Sequence, residues 1–304
     1  MTTLGLGTAP LGNLFRAVSD EQAAATVRAA WDAGIRVFDT APQYGHGLAE
    51  ERLGRAIARL PRNQYVLSSK VGRLLRRTDG PRPPSGFVDI PDVDPVFDFS
   101  RDGVLRSLEE SLRRLGVDHL DVVHVHDPDD FEEVALTAAF PALLELRDQG
   151  VVGKVGCGMN QFEMLQRFVE RIDLDCVLLA GRWTLLDRSG GPLLERCAAR
   201  DVDVLLGGVF NSGLLAAPSS TATFDYRAAP DALVGKAQAM QRICADAGVS
   251  LPAAAVQFAA RHPAVSTVLI GARSPEEVEE DVAAATAPIP EAVWVALDEV
   301  QASG

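Results

Sequence analysis

Four side chains in the first half of the chain, Asp39, Tyr44, Lys70 and His126, are of the types that move a proton at an oxidisable carbon. A phenol ordinarily titrates near about pH 10. An ammonium placed beside it favours the phenolate, so Lys70 next to Tyr44 would make that phenol a usable acid or base near neutrality. Asp39 would hold Lys70 in place and keep it charged. His126 is suited to hydrogen-bonding and orienting a carbonyl oxygen. Taken singly each has a plainer role: Asp39 as the cap of a turn, Lys70 as a solvated side chain, Tyr44 in packing, His126 as a strand-end imidazole. The chemistry needs all four at one mouth.

The elements predicted around them supply that mouth. Short apolar runs and amphipathic stretches alternate along the chain. Strands are expected at 4–8, 35–39, 65–70, 120–126, 151–157, 176–180, 202–206 and 265–270. Helices are expected at 20–33, 50–60, 100–115, 140–149, 161–170, 191–200, 233–247, 252–261, 275–286 and 290–301. Ser19 with Gln22, and Ser274-Pro275-Glu276-Glu277, read as capping boxes. Gly116 closes the helix that carries Leu105, Leu108, Leu112 and Leu115. Eight strand–helix units in 304 residues, with no linker, predict one domain: a parallel α/β (β/α)8 TIM barrel. Residues 71–99 hold five prolines and are expected to form a long loop after the third strand, shaping a pocket together with 127–135.

Active groups on such a barrel sit at the carboxyl ends of strands. In order these are Gly7, Thr8 and Pro10, then Asp39 with Tyr44 five residues on, Lys70, His126 with Asp127, and Met159 with Asn160. Arg182 with Trp183, the segment Gly208–Leu215, and Gly271–Ser274 complete the ring. His124 and His126 share a strand face, a spacing that metal sites use. The remaining histidines His46, His119 and His262 are poorly placed as further ligands, so His124 is expected to be buried and hydrogen-bonded.

Composition narrows the function. Hydrophobic residues make up 47% and charged residues 23%, enough to build a large core. A net charge of −13 argues against a nucleic-acid partner, because phosphate backbones need a basic face. No apolar run approaches the roughly 20 residues of a membrane span. Met1–Gly5 lacks the pattern of a secretory leader, and Cys157, Cys176, Cys197 and Cys244 have no metal or disulfide spacing. A cytoplasmic location with reduced thiols is expected. Oligomeric state is left open.

Three segments resemble the aldo-keto reductase superfamily: Phe38-Asp39-Thr40-Ala41-Pro42-Gln43-Tyr44-Gly45, Ser68-Ser69-Lys70-Val71-Gly72, and Leu115-Gly116-Val117-Asp118-His119-Leu120-Asp121 leading into His126. The resemblance implies that Tyr44 is the general acid/base, tuned by Asp39 and Lys70, with His126 in orientation. It further implies a nicotinamide dinucleotide, NADP or NAD. Gly7 and Thr8 lie at its mouth, Asn160 holds the carboxamide, and Trp183 stacks on the ring and reaches the substrate. Gly208, Phe210, Asn211, Gly213 and Leu215 form the pyrophosphate loop, and Gly271, Arg273, Glu277 and Asp281 the adenosine end. His46 is a further candidate substrate contact. The chain departs from the pattern at Ala180, where the family carries glutamine, and at Glu277 and Asp281, where Gln or Arg and Asn are usual. Glu277 would repel a 2′-phosphate and Arg273 would attract one, which leaves the choice of dinucleotide open.

The segments Asp98–Glu109, His126–Asp129 and Gly181–Asp187 resemble a narrower branch, the L-fucose, D-threo-aldose and L-galactose dehydrogenases. That resemblance implies oxidation of an aldose (L-fucose, L-galactose or D-arabinose type) at C1 to the lactone. The alternatives are a broad-specificity NADPH-dependent aldehyde or ketone reductase, a nicotinamide-binding regulatory subunit without turnover, and a metal hydrolase on the same barrel. Substrate is expected to be a small sugar or carbonyl compound.

Overall fold

The computed structural model describes residues 3–77, 85–225 and 227–302. Eight parallel strands close into a barrel: β1 (Thr3–Gly7), β2 (Val37–Asp39), β3 (Val66–Val71), β4 (Leu120–His126), β5 (Val152–Met159), β6 (Cys176–Ala180), β7 (Asp203–Gly207) and β8 (Val265–Ile270). Each pairs with its neighbour in sequence, and β8 returns to β1 with Leu6 opposite Ile270. Helices cover the outside: α1 (Asp20–Asp32), α2 (Leu48–Ile57), α3 (Arg101–Leu115), α4 (Phe140–Asp148), α5 (Phe162–Arg171), α6 (Gly191–Ala199), α7 (Asp231–Asp246), α8 (Leu251–Ala259), α9 (Pro275–Thr286) and α10 (Glu291–Ala302).

Local chemistry sets the helix limits. Ser100 Oγ accepts from the Gly103 N–H, and Gly116, at φ 66°, ends α3 in the left-handed region. Between these caps Val104, Leu108 and Leu115 bury one face against the sheet. The carboxylate of Glu277 reaches back past the expected N-cap amide and accepts from Arg273 N–H at 2.8 Å. It thereby also engages the Arg273 guanidinium, at 3.3 Å.

Three features differ from the sequence expectation. Residues 71–99 are not all loop: Arg73–Arg76 and Asp94–Phe97 pair as an antiparallel hairpin. Pro95 sits there without penalty because a two-stranded ribbon leaves its outer edge free of ladder bonds. Gly80, Pro81, Pro83 and Pro84 lie outside the described residues. The helix expected at 140–149 is preceded by Glu132–Val134 and a π-turn at Ala135–Ala139, so the helical path starts earlier. The loop at 207–232 contains a second small hairpin, Thr223–Phe224 with Arg227–Ala228. All four cysteines are buried and free, and among the described residues no helix is long and apolar enough to cross a membrane.

Candidate active site

The carboxyl ends of β2, β3 and β4 bring Asp39, Lys70 and His126 together, and the loop after β2 adds Tyr44. Lys70 Nζ lies 2.6 Å from Asp39 Oδ2 and donates to the Thr40 carbonyl at 2.9 Å. Ser68 Oγ donates to the other Asp39 oxygen at 2.7 Å. Both ions are almost wholly buried. Burial pulls the Lys70 ammonium toward neutrality, but the charges of Asp39 and Tyr44 and their hydrogen bonds outweigh it and raise its pKa. The ammonium is 4.8 Å from the centre of the Tyr44 ring. The sequence juxtaposition therefore exists in space.

Tyr44 is held by backbone contact. Gly45, at φ 60°, packs so tightly on Gly12 that a Cβ would fall 2.4 Å from the Gly12 carbonyl oxygen. The 44–45 turn is thus clamped to the start of the β1–α1 connection, with the ring directed over Lys70. His126 stands edge-on to Tyr44, ring centres 6.0 Å apart. Burial, then the positive charges of Arg73 and Lys70, push its pKa well below the ordinary value. It is a neutral imidazole, suited to orienting an oxygen without protonating it.

His124 lies one step deeper in the barrel, level in register with Lys70. It is buried as expected, yet neither ring nitrogen has a hydrogen bond among the described residues. Burial and the Lys70 charge lower its pKa to about 3. Among the described residues no group of three His, Cys, Asp or Glu is arranged to hold a metal.

A cavity of about 1120 Å³ runs from Tyr44 across the ends of β5–β8 to α9. Its size suits a dinucleotide, and its floor is glycine: Gly7, Gly181, Gly207, Gly208, Gly213 and Gly271. At Gly208, φ 64°, a Cβ would meet the Gly181 amide at 3.1 Å, so only glycine leaves this surface flat. Asn211 Nδ2 donates to Gly181 O, while its Oδ1 is buried with no hydrogen-bond partner among the described residues, an unspent acceptor at the wall. These residues fit a phosphate-bearing nucleotide laid along the cavity. Asn160, Phe210, Arg273, Glu277 and Asp281 line it as well.

Four expected contacts are not on that wall. Trp183 turns outward and stacks on Phe258 at 5.3 Å, with His262 edge-on at 5.6 Å. The indole packs with the apolar helix layer and is not among the residues that line the cavity. Leu215 is fully buried in the cluster formed with α7 and α8. Thr8 is buried behind the rim, its amide bonded to the Asp39 carbonyl. His46 is also buried, with Nδ1 2.6 Å from the Val93 carbonyl and 3.8 Å from Asp94, so it pins the 93–94 segment.

Sequence reasoning missed Arg73. Its guanidinium bonds to Gln43 and to Asp127, the latter at 2.7 Å, and covers the Phe97 ring at 4.8 Å. Buried beside Tyr44, it is a second cation at the mouth. The available signal was Gly72-Arg73-Leu74, a charge directly beyond the Lys70 strand.

At the far end, burial and the charges of Glu277 and Glu280 raise the Asp281 pKa to about 7. Between its ordinary value of 3.8 and about 7 the folded chain keeps a proton that the unfolded chain has released. Stability therefore falls as pH rises through that window, and the full penalty is present above it. Asp281→Asn should gain on the order of 1–3 kcal/mol at pH 8 and almost nothing near pH 4, read by thermal unfolding at both pH values.

Residues 3–302 match the Aldo/keto reductase family. The chain is 40% identical to D-threo-aldose 1-dehydrogenase of a Pseudomonas species, over 98% of this chain and 93% of that one. It is 42% identical to pyridoxal 4-dehydrogenase of Microbacterium luteolum, with the same coverage, and 30% identical to L-galactose dehydrogenase of Arabidopsis thaliana over 94% and 85%. Its backbone superposes on a Bacillus halodurans aldo-keto reductase solved in its holo form, with a TM-score of 0.78 over 98% of this chain and 91% of that one, at 22% identity.

Proposed function

The chain belongs to the aldo/keto reductase family and is an NAD(P)-dependent oxidoreductase acting on CH–OH groups, and on that premise we propose that it oxidises an aldose at C1 to the lactone. The observation that carries this reading is the buried Asp39–Lys70 ion pair with its ammonium against the Tyr44 ring, and a neutral His126 beside them. Relatives named for aldose and galactose oxidation support the sugar. Aldoses and pyridoxal share a feature: each is an aldehyde with a hydroxyl able to close a hemiacetal ring.

A bound nicotinamide ring supplies the acceptor for the hydride that leaves C1. Tyr44, as phenolate, takes the proton of the C1 hydroxyl, and the C1–O bond becomes the lactone carbonyl. Lys70 holds the phenolate charge, and Asp39 keeps Lys70 in place and ionised. His126 donates to the oxygen as it turns into a carbonyl. The same site run backward would reduce an aldehyde, so the broad reductase reading uses the same residues. A regulatory subunit would have no need of the ionised Lys70–Tyr44 contact.

For the dinucleotide we favour NAD. Arg273 is the one cation among the described residues that line the cavity, and Glu277 holds both its guanidinium and its amide. Glu280 and Asp281 line the same end. A 2′-phosphate would meet like charge there, whereas a 2′-hydroxyl can donate to the carboxylates. Direct titration by nucleotide-dependent tryptophan fluorescence should find NAD bound at least about tenfold more tightly than NADP, a difference of about 1.4 kcal/mol. Glu277→Gln, which frees Arg273, should narrow the gap. Tighter NADP binding by the wild-type chain would refute the assignment.

A further inference from the structure

Two charged side chains at the mouth have no part in the proton path described above. Asp127 follows His126 directly, and Arg73 faces it from the hairpin beyond β3. We infer that the Asp127 carboxylate, positioned by Arg73, is the acceptor for the hydroxyl on the carbon next to the reacting one, and so determines specificity for polyhydroxylated substrates. This inference rests on the aldose reading.

Placement comes first. Asp127 Oδ2 lies 3.4 Å from His126 Nε2, and the His126 ring stands edge-on to Tyr44. The carboxylate is thus adjacent to the place where Tyr44 and His126 would hold the reacting oxygen. At this 3.4 Å separation no hydrogen bond joins His126 to Asp127 among the described residues, so a neutral His126 protonated at Nε2 keeps its single N–H for the reacting oxygen. His126 then donates and Asp127 accepts. A substrate that offers an oxygen acceptor at one carbon and a hydroxyl donor at the next satisfies both. A simple aldehyde satisfies only the first.

The backbone and the cation hold Asp127 for this task. Its φ of 43° is left-handed, a conformation that costs a non-glycine residue energy and is kept where surrounding structure enforces it. The Asp127 N–H is fixed to the Gly158 carbonyl at 3.0 Å. Arg73 binds only Oδ2, and Oδ1 accepts no hydrogen bond among the described residues. The Asp127 side chain stays 28% exposed while that of Arg73 is 9% exposed. A buried guanidinium therefore presents a carboxylate whose second oxygen is open. Gln43, next to Tyr44 in the chain, holds the other side of the guanidinium, which links this pair to the general base.

The expected discrimination is large, because a site built to pair a hydroxyl leaves a desolvated carboxylate unpaired when that hydroxyl is missing. The test measures kcat/KM for L-fucose, L-galactose and D-arabinose, each beside its 2-deoxy counterpart. The wild-type chain should favour the hydroxylated member of the best pair by at least about a hundredfold. Asp127→Ala should bring that ratio to within about threefold, mainly by raising KM for the parent sugar. Arg73→Lys, which keeps the charge and loses the fork, should give an intermediate ratio. Asp127→Asn provides an isosteric variant should the alanine fail to fold, and NAD titration reports that each variant is intact. If the wild type turns over an aldose and Asp127 variants keep its preference, this inference alone falls. If the wild type turns over no aldose, the aldose reading falls and takes the inference with it.

Discussion

Tyr44→Phe lowers turnover by at least about 10²–10⁴-fold, the usual worth of a positioned acid/base, and leaves NAD affinity within about twofold. The expectation follows from what the substitution removes. The ring keeps its packing against Phe87 and its edge contact with His126. Only the hydroxyl is lost, and with it the interaction that helps to raise the Lys70 pKa. The residues proposed to hold the nucleotide, along Gly208–Gly213 and α9, line other parts of the cavity and should not respond. Steady-state rates beside a fluorescence titration separate the two effects. Wild-type turnover in the variant would remove Tyr44 from the chemistry.

Lys70→Met carries the second large effect, on both stability and rate. The substitution leaves the Asp39 carboxylate buried at 2% exposure with Ser68 as its remaining side-chain donor. Breaking one half of a buried ion pair typically costs about 3–5 kcal/mol, so the melting temperature should fall by several degrees or more. Turnover should fall as well, and its rise with pH should move to higher values, because no ammonium remains to favour the phenolate. Asp39→Asn in the same background removes the stranded charge and should recover part of the stability without recovering the rate. That separation distinguishes a catalytic ammonium from a structural one. Full recovery of rate in the double variant would show that Lys70 only supports the fold.

Much of the architecture was legible because the barrel repeats one simple signal. Apolar runs such as Val177–Leu179 and Val204–Leu206 mark strands buried on both faces, and Ser19, Ser100 and Ser274 mark helix starts. The strand ends then put Asp39, Lys70 and His126 on one rim by topology alone. Side-chain direction was not legible in the same way. Trp183 follows a strand end, but the apolar surface of Phe258 behind it captured the indole. Leu215 closes a glycine-rich loop that lines the cavity and yet turns into the α7–α8 cluster. His46, a candidate substrate contact on the 44–47 turn, is locked under Val93, nearly fifty residues on, a contact no local pattern announces. Arg73 was hidden for the opposite reason. The prolines around it signalled loop, and the hairpin that aims it at Asp127 forms only when Asp94–Phe97 returns to pair.

Isotope transfer from C1 is the measurement that bears most directly on the central claim. The wild-type chain is given NAD and L-fucose, L-galactose or D-arabinose deuterated at C1, and the reduced nicotinamide is examined by mass spectrometry. The account predicts reduced dinucleotide carrying one deuterium, formed together with the lactone, and loss of both products in Tyr44→Phe. Absence of reduced dinucleotide with every aldose, or reduced dinucleotide without the label, would contradict it.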